Sequence, residues 1–330
     1  MKSYNLDLVG NDTASGGVYN NLNQLSENNG FNFVYDDNGN LVQKSNKADG
    51  SKIEYVWDAE NVLQQTKIFK TSSTLSKTID YKYDGLGRRI ERSVTDHITP
   101  TKSYARKYVY DGEHILAILD GANNVVAVYL HGQGVDEPMG LVTDYDGDGN
   151  LDVLSLIKDH QNSVKWILDE KGNWVERIRY SAYGETEIIS RNQKKVTTNN
   201  IFFYTGRELE PEKGDYYYRA RYYSPSEGRF LSEDPIHFSS GDYNLYRYAE
   251  NNPLKFRDPY GHSIWDYIND VRDFVDGFES WSDYFEWLRK WGQCQINKDK
   301  CGRDPGENPI DEKDYDLDDG KAQYMCPISQ

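Results

Sequence analysis

The chain has 330 residues, a formal net charge of −16 and 37% apolar residues, and 27 of its residues are tyrosine. So acidic a chain repels phosphate backbones, which argues against nucleic-acid binding by its whole surface. No apolar run reaches the length of a membrane span, so no transmembrane segment is expected, and residues 1–10 lack the basic start and apolar stretch of a secretory signal. The expectation is a cytosolic chain, one that leaves the cell by a route needing no such signal, or the distal piece of a longer protein. Tyrosine at this level fits strands whose side chains have an apolar body and a polar tip.

From the N-terminus a degenerate unit recurs: aromatic, any residue, aromatic, Asp, a turn with Gly or Asn, then an apolar residue. Phe33-Val34-Tyr35-Asp36, Tyr55-Val56-Trp57-Asp58, Tyr81-Lys82-Tyr83-Asp84 and Tyr108-Val109-Tyr110-Asp111 carry it, with weaker copies at Tyr4 and Tyr19. The four aspartates lie 22, 26 and 27 residues apart, a spacing typical of repeat architectures. Each unit reads as a hairpin. Alternating aromatics turn one strand face inward, and Asp with Gly or Asn supplies the turn. One hairpin cannot bury its own apolar face, so neighbours must stack into a continuous sheet. A generic antiparallel sheet with cross-strand tyrosine pairs is the plainer alternative.

Next comes an acidic loop, Asp144-Tyr145-Asp146-Gly147-Asp148-Gly149-Asn150-Leu151-Asp152. Asp144, Asp146, Asp148, Asn150 and Asp152 are spaced as oxygen ligands of a structural Ca²⁺. An EF-hand would need a bidentate Glu where Ser155 stands, and the flanks read as strands rather than helices. A DxDxDG staple between strands and a polar turn without an ion both remain open at this point.

Beyond it, Asp159-His160-Gln161-Asn162 and Arg179-Tyr180-Ser181-Ala182-Tyr183-Gly184 lead to Tyr204-Thr205-Gly206-Arg207 and then to the densest block in the chain. That block contains Tyr218-Arg219-Ala220-Arg221-Tyr222-Tyr223, Gly228-Arg229-Phe230-Leu231-Ser232, Asp234-Pro235, Asn244-Leu245-Tyr246-Arg247-Tyr248, Asn251-Asn252-Pro253 and Asp258-Pro259-Tyr260-Gly261. In this order the motifs closely resemble the core signature of the Rhs/YD-repeat family, polymorphic-toxin and cell-surface proteins. The resemblance covers roughly residues 1–262. It implies a mainly β fold, with stacked hairpins forming part of a shell, a core plug, and a small helical or irregular acidic tail. Four segments follow: YD repeats at 1–135, a hairpin region with the acidic loop at 136–200, the core-associated block at 201–262 and a variable C-terminal domain at 263–330. The six or so visible repeats are too few to close a shell, so this chain alone makes at most a partial wall.

The resemblance also implies an aspartyl-protease-like dyad of Asp234 and Asp258, oriented by Arg229, that cuts between His262 and Ser263. Two carboxylates sharing a proton push their pKa values apart, giving one base for water and one acid for the peptide carbonyl. The sequence departs from the family at two positions, His237 where a Gly is usual and His262 where a Leu is usual. Obstruction of the dyad and a purely structural role for both Asp-Pro turns therefore stand beside cleavage. Implied partners are the rest of the repeat shell or secretion machinery and an immunity protein for the tail, with a secreted or cell-surface location. A structural cell-surface or carbohydrate-contacting module, without protease or toxin, is the alternative.

The tail changes character. Apolar spacing predicts two amphipathic helices, 264–276 and 279–291, before a loop-like acidic end. Residues 263–330 hold 16 acidic and 8 basic residues and no histidine, which argues against a His-dependent nuclease. All three cysteines, Cys294, Cys301 and Cys326, lie here, permitting one disulfide but offering no metal-site spacing. Beyond the structural Ca²⁺ no cofactor is expected.

Overall fold

The computed structural model describes residues 5–14, 16–191 and 198–262. Sixteen strands from Val18 to Ser190 form one antiparallel sheet in which each strand pairs with its neighbours in sequence. The boundary expected at residue 135 falls in the loop between the paired strands Val125–His131 and Pro138–Thr143, inside this continuous sheet. The helices expected at 264–276 and 279–291 and the three cysteines lie outside the described residues.

The repeat unit has a local cause. Asp7, Asp36, Asp58, Asp84, Asp120, Asp159 and Asp169 each accept, on one carboxylate oxygen, the N–H groups of the residues two and four positions on. The carboxylate therefore shapes a five-residue turn whose fourth residue must be left-handed. That position is Gly39 (φ 80°), Asn61 (φ 62°) and Gly87 (φ 77°) in three successive units. Residue types able to take a positive φ are thus selected where the turn demands one.

A second device ties one repeat to the next. The register slips immediately before Tyr35, Trp57 and Tyr83. The extra residue lies on the return strand opposite, Val42, Gln64 and Ile90 in turn, and such a bulge locally bends and twists the pair. Trp57 Nε1 then donates to the Leu41 carbonyl at 2.8 Å, Tyr83 Oη to Leu63 at 2.8 Å and Tyr110 Oη to Arg89 at 2.9 Å. In each case the acceptor opens the return strand of the preceding hairpin. The second aromatic of the unit is a clamp between repeats, not only core filling.

A four-stranded antiparallel sheet, Glu208–Glu210, Asp215–Tyr218, Arg221–Ser224 and Arg229–Phe230, plugs the inner face. Tyr217, Tyr222 and Leu231 from the plug share a core with Leu25, Phe33, Tyr55, Leu63, Ile79, Tyr81 and Val94 from the large sheet. Its two middle strands are buried on both faces, which explains why alternation is lost there and tyrosines run consecutively. Buried charge also fastens plug to sheet. Arg89 reaches Glu208 and Glu210, while Arg92 reaches Glu210 and Glu212. Burial alone would raise the Glu210 pKa, but Arg92, Arg89 and Lys213 hold it well below the usual carboxylate range.

Candidate self-cleavage site

Both Asp-Pro aspartates are buried, Asp234 at 4% and Asp258 at 2% exposure, so neither is an ordinary surface turn residue. Asp234 follows the last plug strand, and its backbone N–H is held by the Leu245 carbonyl at 3.0 Å. Asp258 closes a loop in which one oxygen accepts the Gly261 N–H at 2.9 Å and the His262 N–H at 3.0 Å. The side chain that unites them is Arg221. Its Nη2 lies 3.2 Å from a carboxylate oxygen of Asp234 and 3.2 Å from one of Asp258.

The same Nη2 donates to the His262 carbonyl oxygen at 3.0 Å, and Arg221 Nε donates to the Gly261 carbonyl. A guanidinium thus contacts two carboxylates and the carbonyl of the expected scissile bond together. Ser263, on the other side of that bond, lies outside the described residues. Burial pushes Asp234 up to about 6, against the lowering effect of Arg221, with Asp258 adding a smaller upward push. Asp258 is also raised, chiefly by burial. Both carboxyls therefore hold their protons more tightly than an exposed aspartate does.

Arg229 is placed elsewhere, which corrects its expected orienting role. Its guanidinium lies between the rings of Tyr19 (5.2 Å) and Tyr246 (4.8 Å), and Nη2 donates to the Asn23 carbonyl. It joins the plug to an early repeat, while the arginine that contacts both aspartates is Arg221. The sequence motif contains both arginines; which one reaches the aspartates depends on tertiary placement and not on spacing.

His237 takes the left-handed conformation (φ 50°) suited to the usual Gly, and its N–H reaches the Asp234 carbonyl at 2.9 Å. The turn after Asp234 therefore forms with a histidine in it. Asp234, His237 and His262 line a cavity of about 850 Å³ whose walls also include Trp57, Tyr83, Tyr110 and His131 from the large sheet and Tyr217 from the plug.

In the acidic loop, carboxylate oxygens of Asp144, Asp146 and Asp152 lie within 4.8 Å of one another. Asp148 and Asn150 are hydrogen-bonded to each other, backbone N–H at 2.8 Å and side-chain amide at 3.1 Å. Three of the five expected ligands thus converge. Burial and then the neighbouring aspartates raise the Asp152 pKa, the direction expected for a crowded carboxylate cluster.

A family model described as Teneurin YD-shell matches residues 3–254. The chain belongs to the Teneurin YD-shell family. Its likeness to a tRNA(Glu)-specific nuclease WapA of Bacillus subtilis subsp. natto is 32% identity over 279 residues, covering 82% of this chain and 11% of that protein. Toxin subunit YenC2 of Yersinia entomophaga is 27% identical over 245 residues, covering 67% of this chain and 24% of the relative. The crystal structure of TcdB2-TccC3-TEV shares the fold, with a TM-score of 0.53 and 21% identity over 70% of this chain and 13% of that one. This YD-shell chain thus spans a small fraction of the length of those curated relatives. Membership bears out the expected repeat-and-plug fold. Among the described residues no helix is long and apolar enough to cross a membrane.

Proposed function

We propose that this YD-shell segment cuts its own backbone between His262 and Ser263, separating the shell from a variable C-terminal effector in residues 263–330. The observation that carries this reading is Arg221 Nη2, which contacts Asp234, Asp258 and the His262 carbonyl oxygen at once. One ionised carboxylate takes a proton from water as its oxygen attacks the His262 carbonyl carbon, while the protonated partner and Arg221 stabilise the developing oxyanion. Collapse breaks the C–N bond, leaving a carboxylate on His262 and, after proton transfer, an amine on Ser263.

The test is the intact mass of the purified full-length chain beside Asp258→Asn. Wild type is expected to separate into 1–262 and 263–330 while the variant stays whole. A single uncut wild-type mass would overturn cleavage and favour the structural, uncut module. In the cleaving case the partners are the remaining repeats of a shell, the machinery that exports it and an immunity protein against the tail, with a secreted or cell-surface site of action. The activities in the relatives' names are theirs; the effector chemistry of this tail is a separate matter.

We propose also that Asp144, Asp146 and Asp152 hold a structural Ca²⁺, which would relieve the repulsion that adds to burial in raising Asp152. Millimolar Ca²⁺ is expected to raise the melting temperature of the wild type and not of Asp152→Asn, since a ligand bound only by the folded state stabilises it. Equal melting with Ca²⁺ and with chelator would overturn this assignment.

A further inference from the structure

The two-residue turn between the plug strands Asp215–Tyr218 and Arg221–Ser224 consists of Arg219 (φ 56°) and Ala220. Together with Arg221 it takes up four successive carbonyls of the segment before the proposed cut. Arg219 Nη1 donates to Pro259, the Ala220 N–H donates to Tyr260 at 3.2 Å, Arg221 Nε donates to Gly261, and Arg221 Nη2 donates to His262 at 3.0 Å. The segment is pressed against the turn. A Cβ on Gly261 would lie 2.3 Å from the Tyr218 carbonyl oxygen, and φ at Gly261 is 72°.

Arg219 is itself held from behind. Its Nη2 lies 2.9 Å from one oxygen of Asp136 and its Nη1 3.3 Å from the other, while its guanidinium lies 5.1 Å from the Tyr260 ring centroid. Asp136 is buried and left-handed (φ 56°), and it also receives Arg207 Nη1 at 2.6 Å. It belongs to the loop between Val125–His131 and Pro138–Thr143, so it is part of the shell wall. A continuous line of contacts runs from the wall through Asp136 and Arg219 to the Pro259 carbonyl, three residues before the His262 carbonyl.

We infer that Arg219, fixed by Asp136, is a positioning residue that sets the register of residues 259–262 and so decides which carbonyl Arg221 Nη2 meets. The part concerning the cut rests on the self-cleavage reading. The part concerning register does not. Hydrogen bonds to consecutive carbonyls fix a segment along its length, and a slip of one residue would bring the Gly261 carbonyl to the place His262 now occupies. Asp258 cannot supply this by itself, because it binds N–H groups of the same segment and would travel with them.

The experiment has two arms on the full chain. In the first, Asp234→Asn supplies an uncut background, and amide hydrogen exchange at residues 260–262 is compared with and without Arg219→Met. Exchange there is expected to rise about tenfold or more, with a smaller rise in Asp136→Asn and partial restoration in Arg219→Lys, while the strand Tyr104–Asp111 is unchanged. Unchanged exchange at 260–262, or a rise throughout the sheet, would overturn the inference. In the second arm, Arg219→Met in the otherwise wild-type chain is expected to cut about tenfold to a hundredfold more slowly. It should also yield a second pair of fragment masses displaced by one residue, which Arg219→Lys suppresses. Unaltered rate and a single cut position would overturn the positioning role. An uncut wild type with accelerated exchange in the first arm would sink self-cleavage while leaving the register function of Arg219 standing.

Discussion

Arg221→Met is expected to slow self-cleavage by about 100- to 1,000-fold, the usual cost of deleting one preorganised donor to a developing oxyanion. The residue makes three kinds of contact, so its loss should also leave a signature in the pH profile. Its positive charge lowers the pKa of both Asp234 and Asp258 against the upward push of burial. Without it both carboxyls retain their protons to higher pH. In the wild type the rate is expected to fall as pH rises through about 6, where Asp234 loses its proton; in Arg221→Met this limb should move upward. Arg221→Lys keeps charge without the forked geometry, so it should retain more of the wild-type profile than of the rate. A time course of intact mass from pH 4 to 8 reads both quantities, and equal rates in all three chains would remove Arg221 from the mechanism. The same groups affect stability. Asp234 binds its proton more tightly folded, at about 6, than at the ordinary value of 3.8. Its contribution is therefore fully present below the unfolded value and lost as pH rises through about 6.

The second large effect lies at the junction of plug and sheet. Arg89 is 1% exposed, and it pairs with Glu208 and Glu210, themselves 3% and 0% exposed. Arg89→Met is expected to cost about 3–5 kcal/mol, because it leaves a buried carboxylate poorly paired and not because the ion pair itself is strongly favourable. Arg92 still reaches Glu210, whereas Glu208 keeps only a long contact, 3.9 Å, to Arg207 Nη2. Hence adding Glu208→Gln to Arg89→Met should recover part of the loss. Urea unfolding of the three chains measures this, and a loss in Arg89→Met no greater than for an exposed site, about 0.5 kcal/mol, would refute it.

What could be read from the sequence was what is decided locally. The Asp-x-x-Gly and Asp-x-x-Asn turns close through contacts within five residues, so the hairpins at Asp36, Asp58 and Asp84 were visible as strings. Asp234 and Asp258 were legible through a family motif, and the structure brings them to one guanidinium. Arg221 was not assigned, because Arg221 and Arg229 sit in the same motif and their partners come from different parts of the fold. Asp136 had no signal at all: a lone Asp in a loop becomes important only when Arg207 and Arg219 converge on it. Arg89 was similarly hidden, since inward-facing arginine in a strand breaks the apolar alternation and is explained only by glutamates 119 and 121 residues away.

The large sheet pairs each strand only with its sequence neighbours, whereas the plug gathers remote parts of the chain. Tyr246 Oη reaches the Gly39 carbonyl at 2.7 Å, Asn244 reaches the Asn11 side chain at 2.9 Å, and Arg219 reaches Asp136 at 2.9 Å. Sequence-local pairing can form early and piecemeal, while contacts across 83 to 233 residues must wait for loop closure. The proposed cutting site lies in the block that makes these long-range contacts. Self-cleavage would thus work as an assembly checkpoint: the wall has to be built and the plug seated before the bond at His262 meets Arg221, so an unfinished chain keeps its tail attached.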